Sequence, residues 1–194
     1  MKILELQKID KLYFGIEDIA RVLGISLASA KVSANRYAKK GVLIRVKRNM
    51  YLLAEKWRTL GQKQKFMLAN YLQSPSYISL MTALDYYEIT SQIQQNFIES
   101  IAIKRTKQVN IEKSTFSFSR INRNLFTDFE KQDDFFIALP EKALADAVYL
   151  KSFGKYNFDL ASIDFEKFDK KILKKISNKF PEKTKKILDK YGNI

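Results

Sequence analysis

Cysteine and histidine are both absent from the 194-residue chain. With them go zinc fingers, thiol nucleophiles, Ser-His-Asp triads, haem ligation and disulfide scaffolds, leaving carboxylate, lysine, tyrosine, serine and threonine for chemistry. Glycine (6) and proline (3) are scarce. No Gly/Ser-rich or Pro-rich stretch separates parts of the chain, so any domain junction is expected to be short and ordered. No apolar run approaches the roughly 18 residues of a membrane span, and Glu5 and Asp10 stand where a secretory leader would carry its apolar segment. The expectation is a cytoplasmic protein without membrane partners. No internal repeat is visible.

What is present is a cation excess and material for a core. Hydrophobic residues make up 46% and aromatic residues 13% of the chain, enough for one ordinary domain or two small ones. Lys plus Arg number 35 against 21 Asp plus Glu, a formal charge of +14 that no histidine modulates. The excess is uneven: residues 1–60 hold 13 cations and 5 anions, 61–150 hold 10 of each, and 151–194 hold 12 and 6. A neutral middle between basic ends points to ends that meet a polyanion, nucleic acid first. In the last stretch, 151–194, the cations are all Lys, mostly on helical patterns, which equally suits solubility.

Ile16, Ile19, Ala20 and Leu23 recur at helical spacing, Glu17 and Asp18 favour the first turn, and Gly24 suits a left-handed stop. Ser26 is placed to cap a second helix by accepting from the Ser29 N–H. Two helices joined by so tight a turn form a helix-turn-helix. In the second helix Ala30, Ala34, Tyr37 and Ala38 face inward, while Ala28, Lys31, Val32, Asn35 and Lys39 face out. Gly41 ends it, and Val42 to Val46 and Met50 to Leu53 read as two strands around the basic turn Lys47-Arg48-Asn49, a wing.

A major groove about 12 Å wide admits one helix that must approach closely, so small residues near its N-terminus serve as well as polar ones. The candidate DNA contacts are Ser26, Ser29 and Lys31 near that end, Asn35 for bidentate pairing with adenine, Arg36 for phosphate, and Lys39 on the same outer face. Arg45, Lys47 and Arg48 on the wing would anchor flanking backbone or enter the minor groove, and Asn49 beside them is a further candidate contact.

Farther along, 61 to 72 reads as a helix with Phe66, Ala69, Tyr71 and Leu72 in the core, and Ser74-Pro75-Ser76 as a turn. Ser79 caps a helix carrying Leu80, Ala83, Leu84 and Tyr87. Strand-like runs follow at 97–103, 108–112, 115–121 and 134–139, and Pro140 opens a helix to Leu150. Residues 164–180 read as one amphipathic helix with Phe165, Phe168, Ile172, Leu173 and Ile176 in a stripe, and Pro181 opens another, ending near Gly192. The fold class expected is α+β: a winged helix-turn-helix over 1–60, then a mixed α+β domain over 61–194 with a basic helical C-terminus.

Carboxylates at Asp85, Glu88, Asp128, Glu130, Asp133, Asp134, Glu141 and Asp146 keep a metal-dependent nuclease among the alternatives, but none sits in a recognisable metal-ligand spacing and no Gly-rich phosphate loop follows a strand. The chain is therefore read as a non-enzyme without metal or cofactor. A stand-alone winged-helix transcription factor is the other alternative.

The blocks IEDIARVLGIS (16–26), KKGVLIRVKRNMYLL (39–53), PSYISLMTALDYYEIT (75–90), IAIKRTK (101–107) and IALPEKALADAVYL (137–150), in that order, resemble the AbiEi antitoxin family. These are bacterial regulators paired with AbiEii nucleotidyltransferase toxins in toxin-antitoxin (abortive infection) systems. The resemblance implies a winged helix that binds inverted repeats in double-stranded promoter DNA and represses its own operon, with nucleoid association through that DNA. It also implies a second domain that counteracts the toxin without a stable complex. Two positions depart from the pattern: the wing turn ends on Asn49 where similar proteins tend to carry Gly, and Gly15 stands where a Ser or Thr cap is expected. In the second domain the resemblance singles out Ser79, Lys104, Arg105, Glu141, Lys142 and Asp146. By their own chemistry Ser79 is a cap, Glu141 a first-turn carboxylate and Asp146 a polar position on a mostly apolar helix. Lys104 and Arg105, at a strand end, are the candidate antitoxin surface.

Overall fold

The computed structural model describes residues 2–193. It is a mixed α+β chain in two compact units, Met1–Gln62 and Lys63–Ile194.

The first unit begins with α1 (Lys2–Leu6), a short helix that the periodicity does not announce. After it come α2 (Ile16–Leu23) and α3 (Leu27–Lys39), then β1 (Leu43–Lys47), β2 (Met50–Leu53) and the short α4 (Ala54–Arg58). The punctuation read in the sequence is what breaks the chain here. Gly24 lies at φ 62°, ψ 41°, where the Ile25 N–H closes back on the Ala20 carbonyl (3.0 Å). Ser26 Oγ accepts from the Ser29 N–H at 3.2 Å and starts α3. Gly41, at φ 68°, turns the chain from α3 into β1.

β1 and β2 form an antiparallel hairpin with a register shift between Arg45 and Lys47, and Phe14 adds an isolated bridge to Tyr51, its N–H and carbonyl both bonded at 2.9 Å. Ile19, Ala30, Ala34, Tyr37, Leu43 and Tyr51 close a core with Leu6, Ile9 and Phe14, while Leu23 and Ile25 are partly buried against it. Alanines at 30 and 34 let α2 and α3 approach closely.

The second unit contains α5 (Gln62–Leu72, opening on the last residue of the first), β3 (Ser76–Ile78), α6 (Leu80–Tyr86), β4 (Phe97–Ala102), β5 (Lys107–Ile111), β6 (Ser114–Arg120), β7 (Phe129–Gln132), β8 (Phe135–Ala138), α7 (Pro140–Ser152), α8 (Lys170–Ser177) and α9 (Glu182–Gly192). Its six-stranded mixed sheet has the order β5-β6-β4-β3-β8-β7, with β6/β4 and β3/β8 parallel and the other neighbours antiparallel. The alternating Phe116 and Phe118 of β6 are fully buried, as the period-2 pattern requires. α7 contacts α6, α8, α9 and β8, so it is covered on most sides.

Four expectations are corrected. Tyr71 is 45% exposed rather than in the core, because α5 buries Phe66, Leu68, Ala69 and Leu72 on its other face. The stretch 164–180 is not one helix: a 3-10 turn at Phe165–Lys167 precedes α8, and Asp169 Oδ1 accepts from the N–H groups of Lys171 (2.8 Å) and Ile172 (3.1 Å), fixing a later start. That start turns Ile172 outward, at 38% exposure. Ser79 occupies the N-cap of α6 but makes no cap bond, its hydroxyl being committed elsewhere, as described below.

Candidate nucleic-acid interface

α3 and the β1–β2 hairpin enclose a groove of about 450 Å³ lined by Ile16, Lys31, Asn35, Arg45, Arg48, Asn49 and Tyr51. Five of the ten residues expected to touch DNA therefore line one concave surface. Lys31, Asn35 and Lys39 share a stripe on α3, four residues apart, and all are exposed. Arg36 is exposed one position beyond the stripe, with its guanidinium 5.4 Å from the Tyr37 ring centre. Lys47 is exposed on β1, while Ser26 and Ser29 sit at the helix N-terminus, their hydroxyls 3.0 Å apart. α3 has no acidic residue in its first turn, so its amide dipoles face outward unopposed. Val32, absent from the candidate contacts, is 67% exposed on the outer face, where an apolar side chain suits a thymine methyl.

Asn49 does something the sequence does not announce. It takes the left-handed conformation at the hairpin turn (φ 55°), its Oδ1 accepts from the Ile16 N–H at 2.8 Å, and its Nδ2 donates to Glu17 Oε1 at 3.2 Å. The missing Ser or Thr before α2 is thus replaced by an acceptor from 33 residues away. Asp18 completes the end by accepting from the Gly15 N–H at 3.1 Å. A Cβ at Gly15 would lie 2.5 Å from Glu17 Oε2, so a side chain at 15 competes with the carboxylate that Asn49 holds. Lys11, bonded to Asp18 at 2.8 Å, leads the groups that pull its carboxyl below the usual range, and Arg21 (2.9 Å) adds to it.

Against known families, residues 1–54 match the model described as transcriptional regulator, AbiEi antitoxin. Over this segment the chain is similar to the AbiEi antitoxin family. The match covers α1, α2, α3 and the β1–β2 hairpin. No curated protein matches the chain. Among solved structures, the crystal structure of RV2827C protein from Mycobacterium tuberculosis aligns with 98% of this chain and 75% of its own, at a TM-score of 0.63 and 12% identity. At that identity the likeness is one of fold.

In the second unit, three of the residues that the AbiEi resemblance singled out meet in one buried cluster. Asp146 is fully buried and accepts from Tyr77 Oη (2.9 Å), Ser79 Oγ (2.9 Å) and the equally buried Lys142 Nζ, one helical turn before it. Lys142 Nζ also lies 4.9 Å from the Phe180 ring centre. Burial pushes the Asp146 carboxyl up while Lys142 and the two hydroxyls pull it down, and the Tyr77 hydroxyl is driven well up by burial and the adjacent carboxylate. The cluster ties α7 to β3 and to the start of α6, where Leu80 takes a left-handed φ of 58°. Glu141, also buried, accepts from the Asp169 N–H at 3.0 Å. Lys104 and Arg105 are apart from all this and exposed.

The carboxylates considered for a nuclease are dispersed. Asp128 binds Lys179 (2.6 Å), Asp133 binds Lys63 (2.9 Å), and among the described residues no three carboxylates converge as metal ligands. Nor, among these residues, is any helix long and apolar enough to cross a membrane.

Proposed function

We propose that the chain is a DNA-binding autorepressor and antitoxin of a toxin-antitoxin operon. The first unit works as a winged helix-turn-helix: α3 enters the major groove, and the β1–β2 hairpin lies as a wing along the flanking backbone. The observation that carries this is the groove between α3 and the hairpin, which Lys31, Arg45 and Arg48 line together with Asn35. Cations at its edges match phosphates on either side of a base edge that Asn35 reaches, which is how positioning and sequence reading are divided in such interfaces. Asn49 serves by holding the hairpin turn against α2, since both ends of its amide are engaged within the unit.

The second unit supplies the antitoxin activity against a nucleotidyltransferase toxin, with the exposed Lys104 and Arg105 as its surface. The family match of the first unit supports the regulator half; the antitoxin half rests on the resemblance of the blocks at 75–90 and 137–150. The experiment is a salt titration of the full chain on duplex taken from upstream of its own gene. Four to six phosphate contacts predict a log K against log salt slope of about −4 to −5 per module. A salt-independent association, or none at low salt, refutes the DNA reading. The antitoxin reading is tested separately with toxin and Arg45→Ala/Arg48→Ala protein expressed from foreign promoters: repression falls while protection persists. Loss of both refutes the division of labour.

A further inference from the structure

In the second unit a cleft of about 1100 Å³ opens where two parallel strands end together. β4 and β6 are parallel neighbours with Ala102 opposite Arg120, and the chain leaving each supplies the cleft wall. Lys104 follows β4, Arg120 closes β6, Asn122 and Arg123 follow it, and Tyr149 and Lys155 come from the end of α7 and just beyond. The carboxyl ends of adjacent parallel strands are where open sheets commonly hold ligands.

The lining has four cations and no carboxylate. Among the described residues none of Lys104, Arg120, Arg123 and Lys155 lies in an ion pair. Like charges gathered in a concavity repel one another, and that cost is relieved by an anion.

The cleft is also held in shape without a ligand. Thr106 Oγ1 accepts from the Arg120 N–H at 3.0 Å, and Gln73 Nε2 donates to the Arg105 carbonyl at 2.7 Å, so the loop after β4 is tied at two points. Asn122 Oδ1 accepts from the Asn124 N–H at 3.2 Å, which uses its carbonyl and leaves its amide hydrogens as donors. The last carbonyls of α7, which would repel an anion, are capped: Leu150 by the Lys155 N–H (2.9 Å) and Lys151 by the Gly154 N–H (3.0 Å).

We propose that this cleft binds the phosphate chain of a nucleotide, free or at the end of a nucleic-acid strand. A triphosphate carries about one charge on each inner phosphate and nearly two on the terminal one, which matches four cations. Arginine forks at 120 and 123 suit its oxygens, and a cleft of about 1100 Å³ has room for a nucleotide. The inference is independent of DNA binding by the first unit.

The test is calorimetric titration of the full chain with inorganic triphosphate, ATP, a short single strand bearing a 5′-phosphate, and a poly-glutamate peptide. Phosphate ligands bind and the peptide binds at least tenfold more weakly; a tighter fit for ATP identifies a free nucleotide, a tighter fit for the strand identifies a nucleic-acid end. Lys104→Ala/Arg123→Ala, both surface changes, weakens the phosphate ligands by about a hundredfold. Lys113→Ala, in the β5–β6 turn at the opposite end of β6, leaves them unchanged. Operator duplex affinity is the same in wild type and the cleft variant, so failure here is distinguishable from failure of the DNA reading. No binding of any phosphate probe, equal affinity in the Lys104→Ala/Arg123→Ala variant, or equal binding of poly-glutamate overturns the proposal.

Discussion

Replacing Asn49 separates two contributions that this one side chain combines. Asn49→Gly keeps the left-handed turn free of strain and removes the acceptor at 2.8 Å from the Ile16 N–H together with the tie to Glu17. Because that N–H is exposed and water can reach it, the loss is that of an ordinary cap, about 1 kcal/mol. Asn49→Ala loses the same bonds and also places a Cβ residue at φ 55°, adding about 1 kcal/mol or slightly more. Asn49→Asp keeps the acceptor but sets a second carboxylate against Glu17, and its penalty shrinks in high salt. In a unit of this size each kcal/mol moves the midpoint by about 4–8 °C. Thermal unfolding followed by circular dichroism should rank wild type above Gly and Gly above Ala. Duplex affinity, measured where all three are folded, should change little. A Gly variant as stable as wild type, or one that is stable but blind to DNA, would refute the assignment of Asn49 as a positioning residue.

Other perturbations test the second unit. Lys142→Met takes from the buried Asp146 the cation that holds its carboxyl down, at a cost of about 3–5 kcal/mol in chemical denaturation, whereas Lys142→Met/Asp146→Asn keeps the acceptor for Tyr77 and Ser79 and recovers most of it; equal loss in both would mean that the ion pair is not what holds α7. Glu99, 3% exposed and bonded to Tyr156 Oη at 2.9 Å, has its carboxyl pushed up to about 7 by burial. Its neutral form is favoured in the fold, so this contribution is complete below about pH 4.5 and is lost as pH rises through about 7, on the order of 3 kcal/mol in all. Glu99→Gln should flatten stability between pH 5 and 8, and an unchanged pH profile would count against burial as the cause.

How legible the fold was depended on how local its causes are. The order α2, turn, α3, hairpin could be read because Gly24, Ser26 and Gly41 each act within a few residues of themselves. β3 and β7 could not: Ser76–Ile78 is too short to show alternation, and Phe129–Gln132 is a sheet-edge strand with no fully buried residue. The break before α8 hid behind a continuous apolar stripe, although Asp169 followed by lysines was a cap signal available to be read. At the candidate sites the misses are tertiary. Asn49 reaches across 33 positions, and Ser79 gives up its cap bond for a carboxylate 67 positions away. The Lys142-Asp146 spacing fits an ion pair, but only the burial of α7 makes that pair a structural clamp. Arg120, Asn122 and Arg123 were visible as a polar run closing a strand, yet their convergence with Lys104 and Lys155 depends on β4 and β6 being parallel.

Discrimination between two duplexes tests the central claim most directly. Full-length protein, wild type, Asn35→Ala and Arg45→Ala/Arg48→Ala, is titrated by fluorescence anisotropy against DNA from upstream of its own gene and against a random duplex of equal length. Base reading by α3 predicts that Asn35→Ala narrows the gap between the two DNAs by about 1–3 kcal/mol, while the arginine pair weakens both alike. A wild type with no preference between them, or arginine variants that bind both as tightly as wild type does, would contradict it.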